Sequence, residues 1–163
     1  MQAIVDQLNA VIWSPVLYLA LGAGLFFSFQ TRFVQVRMFR EMINLLVSGK
    51  SSDKGISTFQ ALAVSLSGRV GTGNIAGVAA AIGFGGPGAV FWMWVVAFLG
   101  ASTAYVESAL GQIYKEEDEG QYRGGPAYYI EKALGQKWYG WLFAITTIIA
   151  CGLLLPGVQS NSI

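Results

Sequence analysis

Residues 71–77 read Gly-Thr-Gly-Asn-Ile-Ala-Gly, a run of weak helix formers. Where a helix opens, its backbone N–H and C=O groups are released to bind something else. Thr72 and Asn74 would add a hydroxyl and an amide to that set. The run sits inside a 60-residue stretch, Gly55 to Tyr114, whose only charged side chains are Arg69 and Glu107. Such a stretch is long enough for two membrane crossings, since one apolar helix of ~20 residues spans the hydrocarbon core. A break at that depth is tolerated only where it is buried in protein or lines a cavity. The motif therefore points to a solute or ion site inside a membrane. A small-residue packing face between helices is the other reading of the same glycines.

Arg69 and Glu107 are the second constellation. An ion at membrane depth is costly, and it usually faces the protein interior, paired or wet. Counted from the turn at Gly86, Arg69 lies 17 residues back and Glu107 lies 21 forward. At 1.5 Å per residue their depths differ by only ~6 Å. The spacing predicts an interaction between them, direct or through one intermediate, towards the cytoplasmic half. Gating and plain charge compensation are both open as its role.

The elements that must position these groups follow from composition. The chain is 54% hydrophobic and 12% charged, against roughly 25% charged in an average soluble domain. Its mean hydropathy is +0.52. Net charge is +1 with no histidine, so neither a nucleic-acid footprint nor a ready proton switch is present. The single cysteine, Cys151, lies in an apolar run and reads as an inert thiol. With no serine beside a base in a recognisable motif, enzyme chemistry has no candidate residues and no cofactor is implied. The class is an all-α polytopic membrane protein.

Four hydrophobic blocks are expected as membrane helices, about 11–29, 56–84 with a break near 71–74, 89–114 and 138–158. The first resembles a signal peptide only superficially, because its flank carries Asp6 rather than a basic residue. Pro15 is expected in its first turn, where a missing N–H costs little. Residues 32–57 carry Arg32, Arg37, Arg40, Lys50 and Lys54 against Glu41 and Asp53. Within them 33–47 has helical apolar spacing and reads as a surface helix, a basic linker, or both. The basic excess assigns this segment to the cytoplasm and the N-terminus to the outside. Residues 115–120, KEEDEG, read as a solvated loop, and 126–134 as a short interfacial helix.

Several stretches carry a family resemblance. GGPGAVFWMWVVAFLG (85–100) resembles the signature of the sodium:alanine (amino acid–cation) symporter family, and SGRVGTGNIAGVAAAI (67–82) resembles the stretch before it. Glu107, Tyr114-Lys115, GGPAYYIEKALG (124–135) and LLLPGVQSNSI (153–163) look like further landmarks in the same order. Members of that family are considerably longer, so the chain is expected to be the N-terminal part of one. The resemblance implies the inverted-repeat, leucine-transporter-like fold, two repeats of five helices with a broken first helix in each. It implies inward transport of small neutral amino acids, alanine or glycine, coupled to sodium, across the cell membrane.

On that resemblance the motif takes specific roles. The substrate carboxylate would meet the N–H groups where the second half-helix begins, and sodium the last carbonyls of the first half. Gly71, Thr72, Gly73 and Asn74 are the substrate candidates, the two glycines making the break through close approach or positive φ. Ser67 and Val70, with the Asn74 amide oxygen, are the candidate sodium ligands. Pro156 is expected to interrupt the last helix and free local carbonyls. Just beyond it, Gln159 becomes a candidate for the substrate ammonium, with an interhelical hydrogen bond or an outer-surface position as the alternatives. Alone, the chain would hold half a site and would need the remaining transporter helices. A truncated inactive product, a small helix-packing membrane protein and a channel component are the competing readings.

Overall fold

The computed structural model describes residues 2–49 and 55–161. Lys50, Asp53 and Lys54 of the basic connection, and Ser162, lie outside the described residues. Among the described residues three helices are long and apolar enough to cross a membrane, covering Gln7–Gln30, Gly88–Ile113 and Lys137–Asn161. Trp13, Phe26, Trp92, Trp94, Trp141 and Ile148 on these helices are each at least 61% exposed. Val34 and Ile130 are the buried apolar side chains among the described residues. A chain that keeps large apolar groups outside needs an apolar solvent around it.

The first helix, α1 (Gln2–Gln30), starts well before the expected boundary. Pro15 therefore lies in its interior and not in its first turn, since the flanking QAIVDQLNA residues continue the helix N-terminally. The amphipathic segment divides into α2 (Val34–Arg37) and α3 (Phe39–Ser48), and α1 is separated from α2 by Thr31, Arg32 and Phe33. Next come α4 (Thr58–Ser67), a 3₁₀ turn (Thr72–Asn74) and α5 (Ala76–Gly85). Ser57 caps α4: its Oγ accepts from Gln60 N–H at 3.2 Å and its own N–H donates to Gln60 Oε1 at 2.9 Å. Gly86, at φ 71°, ends α5 and lets Pro87 open α6 (Gly88–Ile113).

Packing of α1 on α6 fixes the topology. Gly24 lies opposite Leu99, where an added Cβ would come within 2.9 Å of the Leu99 Cβ. One turn further along both helices, Ser28 and Ser102 are fully buried and hydrogen-bonded at 3.1 Å. Ser102 Oγ also donates towards the Gly24 and Leu99 carbonyls at 3.0 and 2.8 Å. Small residues and interhelical hydroxyls are what hold helices together when lipid is the solvent. Because contacts ascend together in both helices, α1 and α6 run parallel. Two parallel spans need an odd number of crossings between them. The apolar elements there are α4 and α5, ten residues each and about 15 Å long. Neither alone covers a ~30 Å core, and residues 68–75, with the 3₁₀ turn among them, lie between the two.

Beyond α6 the KEEDEG stretch is not a simple loop. Strands β1 (Glu116–Asp118) and β2 (Gln121–Arg123) pair antiparallel, with Glu119 and Gly120 both at positive φ in the two-residue turn. Lys132 of α7 (Pro126–Leu134) pins this hairpin through Glu116 at 2.8 Å and the Tyr114 carbonyl at 3.2 Å. The last span comprises α8 (Lys137–Ile149), a π turn (Ala150–Leu154) and α9 (Leu155–Asn161). Pro156 does not interrupt it. The wider turn, with Leu155 N–H donating to the Ala150 carbonyl, takes up the proline in a continuous helix.

Candidate functional site

The break between α4 and α5 opens just after Ser67. Arg69 and Val70 N–H both donate back to the Leu66 carbonyl, at 3.0 and 3.1 Å. Among the described residues no backbone amide reaches the carbonyls of Ser67, Gly68, Arg69 or Val70. These four oxygens end α4 with their lone pairs free, at the negative end of its dipole. Ser67 Oγ donates to the Val64 carbonyl at 2.9 Å, which leaves its own lone pairs available. Hard oxygen donors of this kind suit an alkali cation.

Gly71 is extended, at φ −150° and ψ −178°, a conformation open to any residue. Neither it nor Gly73 uses positive φ, so left-handed freedom is not what glycine supplies at this break. The turn is closed by Asn74 instead. Its N–H donates to the Gly71 carbonyl at 3.0 Å, and its Oδ1 accepts from Gly71 N–H at 3.1 Å. That side chain, expected to face sodium or substrate, thus spends one lone pair holding its own turn. The Thr72 hydroxyl has no hydrogen-bond partner among the described residues. Ala76 to Val78 then head α5, which has no side-chain cap, and their amides are the orphan donors of a helix start.

The last span meets this break. A Cβ placed on Gly71 would lie 2.9 Å from Gln159 Nε2 and 3.7 Å from its Cδ. Residues 88 apart in sequence are therefore in contact, and a side chain at 71 would push the end of that amide away. Around Gly73 nothing lies within 4 Å of the equivalent position. The π turn contributes to this aim, since one extra residue in a helical turn rotates everything beyond it by roughly 100°. Sequence reasoning missed that turn; Gly152, four residues before Pro156, was the available signal.

Arg69 and Glu107 line one cavity of about 370 Å³ together with Ser108, Gln112, Lys115 and Arg123. No ion pair joins Arg69 to Glu107 among the described residues. The neighbouring cations are already engaged. Lys115 Nζ stacks 4.1 Å from the Tyr122 ring centroid and donates to Gln112 Oε1 at 3.0 Å. Arg123 pairs with Asp118 at 3.0 Å. Burial, with the Glu107 carboxylate and Tyr139 nearby, raises the pKa of Tyr129 on α7 above the ordinary phenol value. No cluster of side chains suited to a transition metal occurs among the described residues.

The arrangement offers free carbonyls, free amides and the carboxamides of Asn74 and Gln159 around a single break. The sodium:alanine symporter family model matches residues 1–163. A Bacillus subtilis protein, "Putative sodium/proton-dependent alanine carrier protein YrbD", is 66% identical over 160 residues, covering 98% of this chain and 33% of its own length. "Probable sodium/glutamine symporter GlnT" of Bacillus subtilis is 47% identical, over 100% of the chain and 35% of its own length. Sodium/alanine symporter AgcS of Methanococcus maripaludis is 40% identical, over 99% and 38%. The chain spans about a third of the length of these relatives. It belongs to the sodium:alanine symporter family, a family of transporters and not of enzymes.

Proposed function

We propose that this chain supplies the N-terminal part of a sodium-coupled symporter for small neutral amino acids, alanine or glycine. One observation carries the reading: the Gln159 amide lies against Gly71 at the opening between α4 and α5. A zwitterion needs an anion site and a cation or acceptor site a few ångströms apart. The orphan amides at Ala76–Val78, with the Thr72 hydroxyl, suit its carboxylate. The Gln159 carboxamide oxygen suits its ammonium, and the carbonyls from Ser67 to Val70 suit sodium. Asn74 supports the substrate side by fixing the turn, with one amide lone pair left for either ligand. Arg69 and Glu107 compensate each other across their cavity. The inverted-repeat fold, insertion in the cell membrane with the N-terminus outside, and completion of the site by further helices belong to the same proposal.

A family relative named for glutamine makes substrate size the open variable. The test is uptake of labelled alanine by proteoliposomes holding a full-length transporter that carries this chain, with glycine and glutamine as competitors. Sodium-dependent uptake that glycine inhibits more strongly than glutamine is expected. Equal uptake in sodium-free buffer would contradict the coupling, and uptake by liposomes holding this chain alone would contradict the need for more helices.

A further inference from the structure

The end of α1 holds two consecutive non-glycine residues in the left-handed region, Arg32 and Phe33, each at φ 53°. Such a pair is uncommon and persists where the surroundings fix it. The bend it makes sets Arg32 and Arg37 around one cavity of about 260 Å³, with Gln30, Thr31 and Tyr105. No carboxylate lines that cavity, and neither arginine forms an ion pair among the described residues. Two guanidinium groups on one rim repel each other and favour a shared anion. Thr31 is committed to the Phe27 carbonyl at 2.7 Å, which leaves the arginines, the Gln30 amide and the Tyr105 hydroxyl as donors.

A second cavity, about 170 Å³, adjoins the first and shares Val34 and Tyr105 with it. Met38, Met42, Leu45 and Ala101 give it an apolar wall, and Glu41 is its one carboxylate. Phe29 and Phe33 stack edge to face at 5.3 Å beside the bend and are 67% and 41% exposed, as aromatic rings at a membrane interface are. A basic cavity that shares two lining residues with an apolar one, at the end of a membrane helix, matches a phosphate head with its acyl chain. Basic pockets between membrane helices are sites for acidic headgroups.

We propose that these paired cavities hold one anionic phospholipid, its phosphate between Arg32 and Arg37 and an acyl chain against Met38, Met42 and Leu45. The proposal rests on membrane insertion and is independent of what is transported. The test is native mass spectrometry of the full chain in mild detergent, titrated with dioleoylphosphatidylglycerol, with dioleoylphosphatidylcholine, or with inorganic phosphate. One phosphatidylglycerol is expected to be retained at least about tenfold more tightly than phosphatidylcholine, and R32Q and R37Q should each weaken it about fivefold. R32K/R37K should keep most of that preference, which separates charge from misfolding, and E41Q should not weaken it. Equal retention of the two lipids, or an unchanged preference in R32Q/R37Q, would overturn the site. Inorganic phosphate displacing the lipid at equal concentration would overturn the acyl half of it.

Discussion

Gly71→Ala probes the contact on which the proposed site depends. The added methyl would start 2.9 Å from Gln159 Nε2, and ordinary contact begins at 3.4 Å and extends to 4 Å. The carboxamide must therefore retreat by about 0.5–1 Å, a cheap movement for the end of a flexible side chain. The backbone at 71 accepts alanine without strain, because its φ and ψ are extended. Stability should accordingly stay within about 0.5 kcal/mol of the parent, the usual range for a substitution with no structural mechanism. Binding should not be spared. A hydrogen bond to a charged group contributes ~1.5–3 kcal/mol, and losing it would weaken amino-acid affinity roughly 10- to 100-fold. Two measurements separate these effects: denaturant unfolding of the chain in micelles, and the ¹⁵N–¹H resonances of the Gln159 side-chain amide. A shifted Gln159 resonance with unchanged unfolding is expected. An unmoved resonance, or collapse of the α4–α5 crossing, would refute the reasoning.

Other consequences can be checked separately. R69E and E107R should each reduce sodium-dependent uptake in the full-length transporter, and the combined swap should recover part of it, with a coupling of about 0.5–3 kcal/mol in a double-mutant cycle; zero coupling would mean the two charges act independently. Ser102→Ala removes the hydroxyl that links α1 to α6 and should cost about 0.6–1.7 kcal/mol by denaturant titration in micelles, whereas no cost would remove that hydroxyl from the packing. Tyr129 has a raised folded pKa, so the folded state holds its proton more tightly than the unfolded state. Stability should fall as pH rises from about 10, and phenolate absorbance should show one late-titrating tyrosine that Tyr129→Phe abolishes.

Much of this architecture was legible in the sequence because lipid imposes simple rules. Long uncharged runs gave the three helices that are long and apolar enough to span, and Gly-Thr-Gly-Asn fell at the 3₁₀ turn between α4 and α5. Local rules failed where the cause lay elsewhere in the chain. Gly71 lies against a side chain 88 positions away, a contact that no reading of its own φ preference could find. Pro156 looked like a break, yet a π turn absorbs it. The Glu119-Gly120 turn hid a hairpin, because four successive acids mask the pairing of Glu117 with Tyr122. Depth counting brought Arg69 and Glu107 to one cavity, but spacing along helices cannot say whether two side chains touch.

Binding of labelled alanine to the full-length transporter carrying this chain, with and without sodium and with Gln159→Ala, is the most direct measurement. Sodium-dependent binding that weakens tenfold or more in the variant, with uptake lost in parallel, is the expected result. Equal affinity for parent and variant, or binding indifferent to sodium, would contradict a site built where Gln159 meets the break at Gly71.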